Sequence, residues 1–142
     1  MTTDQRALTI LMVDDNQDEV FLTRRLLRRD GIVNNFVSER DPTRIFDTLD
    51  HLIELGGDRN RIMILLDLNM PQIDGFSVLR KIRKSKRYKD VTVIMLSASD
   101  DEGDMLDSFD KGANGYMVKP FRADEFFTVL NNVSHVRYQL VQ

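Results

Sequence analysis

The residues best equipped for chemistry stand where apolar runs stop. Leu8–Val13 ends at Asp14 and Asp15, Arg61–Leu66 at Asp67, Val91–Leu96 at Ser97, and Gly115–Val118 at Lys119. Three carboxylates, a hydroxyl and an ammonium in equivalent places point to one shared site. Carboxylates crowded at low effective dielectric repel one another unless a cation sits among them. Oxygen donors without His or Cys favour Mg2+ over zinc or copper, and Mg2+ couples a few carboxylates to phosphate oxygens. Phosphoryl chemistry follows. A carboxylate nucleophile would become an aspartyl phosphate, with metal, lysine and hydroxyl balancing the charge on the phosphoryl oxygens. Asp67 is the best-placed nucleophile. Singly, each residue has an ordinary explanation as helix cap, turn former or loop residue; their joint appearance on successive runs argues for a site.

The elements that must position these residues can be read from periodicity. The apolar runs are too short for good helices and predict buried strands, with Asn35–Ser38 as a thinner candidate. Between them lie amphipathic stretches. Asp18–Arg29 carries Val20, Leu22, Leu26 and Leu27 and is followed by Gly31, a C-terminal cap signal. Asp41-Pro42 starts a second helix bearing Ile45, Phe46, Leu49, Leu52 and Ile53, which runs to Gly56-Gly57. Phe76, Val78, Leu79 and Ile82 mark a third, with the basic run Arg80–Arg87 as its solvated end. Asp101 caps a fourth carrying Met105, Leu106 and Phe109 and closed by Gly112; a fifth starts near Ala123 with Phe126, Phe127, Leu130 and Val133. Five β–α pairs in strict alternation predict an α/β domain, a doubly wound five-stranded parallel sheet covered by helices on both faces. In such a sheet, ligands bind beyond the carboxyl ends of the strands, where the polar residues collect.

Length and composition agree with this. The 142 residues are 42% hydrophobic and 30% charged, with seven glycines and three prolines, as expected of one packed domain. A formal net charge of -3 argues against direct nucleic-acid binding through a basic face. Absence of cysteine excludes disulfides, thiolate catalysis and Cys-type metal sites, and fits a cytoplasmic location. No apolar run approaches the roughly 20 residues of a membrane span, and Met1–Leu8 lacks a signal-peptide core. No linker or repeat breaks the chain, so the expectation is a single domain over 1–142, with its core at about 8–133 and no output module.

Four segments, in this order and at these distances, resemble the receiver domains of two-component response regulators. They are Val13-Asp14-Asp15-Asn16, Leu66-Asp67-Leu68-Asn69-Met70-Pro71-Gln72-Ile73-Asp74-Gly75, Met95-Leu96-Ser97-Ala98, and Gly112-Ala113-Asn114-Gly115-Tyr116-Met117-Val118-Lys119-Pro120-Phe121. The resemblance extends from about Leu8 to Val133. It implies the flavodoxin-like strand order 2-1-3-4-5 and phosphoryl transfer from a sensor histidine kinase to Asp67. Asp14 and Asp15 would organise Mg2+ with Asp67 and the Asn69 backbone carbonyl. Ser97 would bind a phosphoryl oxygen, Ala98 would keep Asp67 accessible, and Lys119 would pair with the phosphoryl group. Tyr116 matches the aromatic that swings inward on switching, or else fills a gap beside the last strand. Lys119–Pro120 is expected to be cis, a conformation realistic only before proline.

The longer connection at Asp50–Arg61, with no effector domain following, resembles the stand-alone regulators that partner bacterial phytochromes, making a bacteriophytochrome the candidate kinase. Self-phosphorylation and slow self-dephosphorylation would be the only reactions, so the expectation is a signalling protein and not an enzyme. Output would pass through protein contacts, onward phosphotransfer, or a homodimer through the fourth helix, fifth strand and fifth helix. Val136, Tyr138, Leu140 and Val141, read as extending the last helix, would leave apolar surface for that dimer. A phosphohydrolase with an aspartyl nucleophile needs an acid/base carboxylate two residues after it, but that position is Asn69. Neither a Gly-rich phosphate loop with Lys nor the dinucleotide fingerprint follows the first run, which weakens a nucleotide-binding reading.

Overall fold

The apolar runs form parallel strands, and the amphipathic stretches return the chain over the sheet between them. In a computed structural model, which describes residues 8–29, 32–55, 61–71, 73–98, 102–133 and 139–140, the strands are β1 (Leu8–Val13), β2 (Ile32–Glu39), β3 (Ile62–Asp67), β4 (Thr92–Ser97) and β5 (Gly115–Val118). The helices are α1 (Gln17–Arg29), α2 (Ile45–Glu54), α3 (Gly75–Lys84), α4 (Glu102–Asp110) and α5 (Ala123–Asn131). The first five strands pair in parallel in the order β5-β4-β3-β1-β2, as expected. β6 (Gln139–Leu140) adds a short antiparallel edge beside Ile32 and Val33. This corrects the expected helical extension: α5 ends at Asn131, and Leu140 belongs to a strand. Val136, Tyr138 and Val141 lie outside the described residues, as do Gly31, Gly56-Gly57 and Asp101.

Side-chain alternation along the strands builds two core layers. Leu11, Val13, Ile62, Ile64, Leu66, Val93 and Met95 pack with α2, α3 and Met105 of α4. Ile10, Met12, Met63, Leu65, Ile94 and Leu96 face α1 and α5. β3 is buried along its whole length, which explains why its sequence is continuously apolar and not alternating. Burying these side chains contributes about 25 cal/mol per Å² of apolar surface, the main term holding helices to sheet.

Local chemistry fixes the helix ends. Asn16 accepts from the amides of Asp18 and Glu19 and so starts α1. Asp41 accepts from the Thr43 amide at 3.0 Å, but Pro42–Arg44 is a 3-10 turn and α2 proper begins at Ile45. Asp74 caps α3 through the Phe76 amide. A Cβ on Gly75 would lie 3.0 Å from Leu68 Cα and 3.1 Å from Asp67 O, so a side chain there would push the loop after β3 back by a few tenths of an ångström. Gly112, at φ 105°, ends the α4 region in the left-handed conformation that glycine adopts without strain.

Three expectations about helix faces need correction. In α1 the buried residues are Val20, Thr23 and Leu27, at helical spacing, whereas Leu22 is 51% exposed and points away from that stripe. In α4 Ser108 is buried, and Leu106 and Phe109 are 58% and 46% exposed. The basic end of α3 is not uniformly solvated. The Arg83 guanidinium donates to the carbonyls of Gly112, Lys89 and Val91 and to Asn114 Oδ1, tying α3 to the entry of β4 and the approach to β5.

Candidate functional site

The polar ends of β1, β3, β4 and β5 converge on one edge of the sheet. Backbone hydrogen bonds continue one rung past the regular pairing and hold the residues there. Asp14 N donates to Glu39 O, Leu68 N to Leu96 O, and Lys119 N to Ser97 O. Asp14, Asp67 and Ser97 are buried at 0%, 2% and 0% exposure, an unusual place for carboxylates that lack a counter-ion.

Lys119 is that counter-ion. Its Nζ lies 3.1 Å from Asp67 Oδ1, 3.4 Å from Asp14 Oδ2 and 2.7 Å from Glu19 Oε2. The peptide bond from Lys119 to Pro120 is cis, as anticipated. Asp67 Oδ1 also accepts from the Asn69 amide at 2.9 Å, and Asp14 Oδ1 from the Asn16 amide at 2.9 Å. The Asn69 side chain has a role not foreseen from sequence. Its Oδ1 accepts from Ser97 Oγ and from Ala98 N, both at 3.1 Å, and thereby ties the end of β4 to the loop after β3.

Glu19 is the other residue that sequence reasoning missed. One carboxylate oxygen from each of Asp14, Glu19 and Asp67 falls within 4.8 Å of the others. The signal available was its position one helical turn after Asp15, on the first turn of the helix that follows the site loop. Asp15 is exposed and lies outside this group, and Ala98 is exposed at its rim. Tyr116 is 8% exposed and packs into the core layer under α2 and α3.

Electrostatics at the site are unbalanced. Burial, a hydrogen bond with Glu19 and the charge of Asp67 push the Asp14 carboxyl up to about 7, against the opposing pull of the Asn16 amide and Lys119. Glu19 is held below the usual carboxylate range, first by its hydrogen bond with Asp14 and then by Lys119. At Lys119 burial works against the ammonium, but Glu19, Asp14 and Asp67 together outweigh it and raise its pKa. One lysine thus faces three carboxylates, and the imbalance is expressed at Asp14, whose carboxyl is the one pushed up. An all-oxygen donor set with spare negative charge fits a hard divalent cation such as Mg2+.

A family model described as the response regulator receiver domain matches residues 10–131. The chain is a member of the response regulator receiver family. Among curated proteins, the receiver is 33% identical over 116 residues to the probable methanogenesis regulatory protein FilR2 of Methanothrix harundinacea, covering 82% of this chain and 74% of that protein. It spans only 26%, 10% and 43% of three longer curated relatives. Among solved structures, the bacteriophytochrome response regulator AtBRR superposes with a TM-score of 0.80 at 31% identity, covering 96% of this chain and 99% of that one. The Mn2+-bound form of response regulator Rcp1 gives 0.64 at 29% identity, with 86% and 88% covered. No helix among the described residues of the receiver is long and apolar enough to cross a membrane.

Proposed function

We propose that this receiver acts as a Mg2+-dependent phosphoacceptor, taking a phosphoryl group from a sensor histidine kinase onto Asp67. The observation that carries this reading is the Asp67 carboxylate at the carboxyl end of the central strand, 3.1 Å from an ammonium and beside two further carboxylates. In the step, a carboxylate oxygen of Asp67 forms a bond to phosphorus as the phosphorus–nitrogen bond of the donor phosphohistidine breaks. The electron pair of that bond leaves with the imidazole nitrogen, and the product is an acyl phosphate. Lys119 neutralises part of the charge on the transferring oxygens, and Ser97 Oγ, once released from Asn69, can donate to one of them. Asp14, Asp67 and the Asn69 carbonyl, with Asp15 at the mouth, would hold Mg2+, which supplies further charge neutralisation when bound. The Mn2+-bound form of the similar response regulator Rcp1 supports a divalent metal in this reading.

Phosphorylation would shift a two-state equilibrium in which Ser97, Lys119 and Tyr116 change partners. Leu106 and Phe109 on α4 give that face an apolar surface suited to protein contact or homodimerisation. The similarity to the bacteriophytochrome response regulator AtBRR supports a bacteriophytochrome as its kinase. Membership of the receiver family supports a signalling role; the reading is of a cytoplasmic phosphoacceptor that turns over no external substrate.

Intact-protein mass after incubation with acetyl phosphate and Mg2+ tests the reading. One phosphoryl adduct is expected on the natural chain, and none on Asp67→Asn or in the presence of chelator. An unmodified natural chain that is folded and metal-loaded would refute the phosphoacceptor role.

A further inference from the structure

The first turn of α1 carries an apparent capping box whose second half is missing. Asn16 stands at the N-cap and Glu19 three residues on, where a glutamate ordinarily reaches back to the N-cap amide. Here that amide donates instead to Asp14 Oδ1 at 2.9 Å. The Glu19 side chain turns across the site to Lys119 and makes, at 2.7 Å, the shortest of the three contacts to its ammonium.

An ammonium has three hydrogens. Lys119 Nζ donates to Glu19 at 2.7 Å and more weakly to Asp14 at 3.4 Å and pairs with Asp67 at 3.1 Å, so a phosphoryl oxygen gains a close contact with Lys119 by taking the place of one of these carboxylates. Asp14 is fully buried, and Asp67 is the group to be modified. The Glu19 side chain is 39% exposed and stands in the first turn of α1, beside the exposed Gln17 and Asp18. It alone can swing outward without leaving a charge in the interior. A cavity of about 310 Å3, lined by Glu19, Leu22, Thr23, Lys119, Pro120 and Phe121 among others, adjoins this contact and gives the side chain room to move.

We infer that Glu19 is a resting-state counter-ion for Lys119, an anionic place-holder that the phosphoryl group on Asp67 must displace. Glu19 is therefore a positioning residue, and this role rests on the phosphoacceptor reading. Its carboxylate keeps the lysine aimed into the site before reaction but opposes arrival of a phosphodonor dianion. Displacement also uncouples α1 from the loop after β5, so occupancy of Asp67 is transmitted to the opening of α1.

The test uses the full chain labelled with 15N-lysine, its Lys119 ammonium signal assigned through Lys119→Arg. Glu19→Gln is expected to shift that signal and speed its exchange with water, while Asp18→Asn, which removes a neighbouring charge from the same helical turn, leaves it unchanged. At saturating Mg2+, Glu19→Gln should acquire the phosphoryl adduct from acetyl phosphate about two- to fivefold faster than the natural chain, the range expected for losing one partly exposed ion pair. Glu19→Asp keeps the charge on a shorter side chain and should fall between the two; it serves if the glutamine variant is unstable. An unchanged Lys119 signal, or an adduct forming at an equal or slower rate, would overturn the inference. Slower modification that recovers only at about tenfold higher Mg2+ would make Glu19 a metal ligand instead. If no chain acquires an adduct, the phosphoacceptor reading fails, and the ammonium signal still decides whether the contact exists.

Discussion

Asp14 shows how a carboxyl buried beside other carboxylates burdens the protein. Its carboxyl sits near 7 in the fold against an ordinary 3.8, so the folded state binds a proton more tightly than the unfolded chain does. A raised acid contributes instability that is absent below about pH 4 and fully developed above about pH 7. In chelator, Asp14→Asn should therefore stabilise the protein at pH 7.5 by about 1–3 kcal/mol and have little effect at pH 4. Urea unfolding at the two pH values checks this. If Mg2+ binds as proposed, the natural chain should be stabilised by millimolar Mg2+ and the same substitution should abolish that gain. An advantage of Asp14→Asn that was equal at both pH values would exclude the proton linkage. The main site residues were legible because each ends an apolar run, a pattern that sequence shows directly. Glu19 and the Asn69 side chain were not. Their contacts cross from one connection to another, joining residues 100 and 28 positions apart, and no local periodicity encodes such a distance.

Elements were legible wherever one face is buried. Strands β1, β3 and β4 and the parallel order follow from short apolar runs alternating with amphipathic stretches, and β2 is longer than its polar sequence suggested because β1 supplies its register. The faces of α1 and α4 misled because their exposed apolar residues count equally in a pattern. Arg83 misled for the converse reason, a charged residue at a helix end whose guanidinium is used by backbone carbonyls. Replacing Arg83 with Met keeps the stem but leaves Gly112 O, Val91 O and Asn114 Oδ1 short of a donor, at a cost of about 2–4 kcal/mol. Asn114 Oδ1 would retain the Val93 amide. Thermal melts should show this loss with Mg2+ half-saturation unchanged, since the clasp lies at the opposite end of the strands. Gly112→Ala should destabilise as well, because its φ of 105° is strained for alanine and the new Cβ would lie 2.9 Å from Arg83 Cγ.

At the scale of the whole molecule, the exposed Leu106 and Phe109 are the apolar residues of α4 that the monomer leaves uncovered. Replacing both with serine should leave monomer stability within about 0.5 kcal/mol, as for other exposed sites. If α4 carries the output, the same change removes any self-association that phosphorylation induces, and sedimentation of natural and doubly substituted chains with and without acetyl phosphate measures it. Equal association of both chains would move the interface elsewhere.

The sheet order carries one more consequence. Asp67 terminates β3, flanked on both sides and buried throughout, whereas Lys119 follows β5, a four-residue strand at the sheet's rim. Amide hydrogen exchange should accordingly be slowest in β3 and at least tenfold faster in β5 in the unmodified protein. A phosphoryl group joined to the first and paired with the second would act as a staple from the hub to the rim. Its signature would be slowed exchange in β5 with almost none to gain in β3, a stiffening confined to the β5 margin of the sheet.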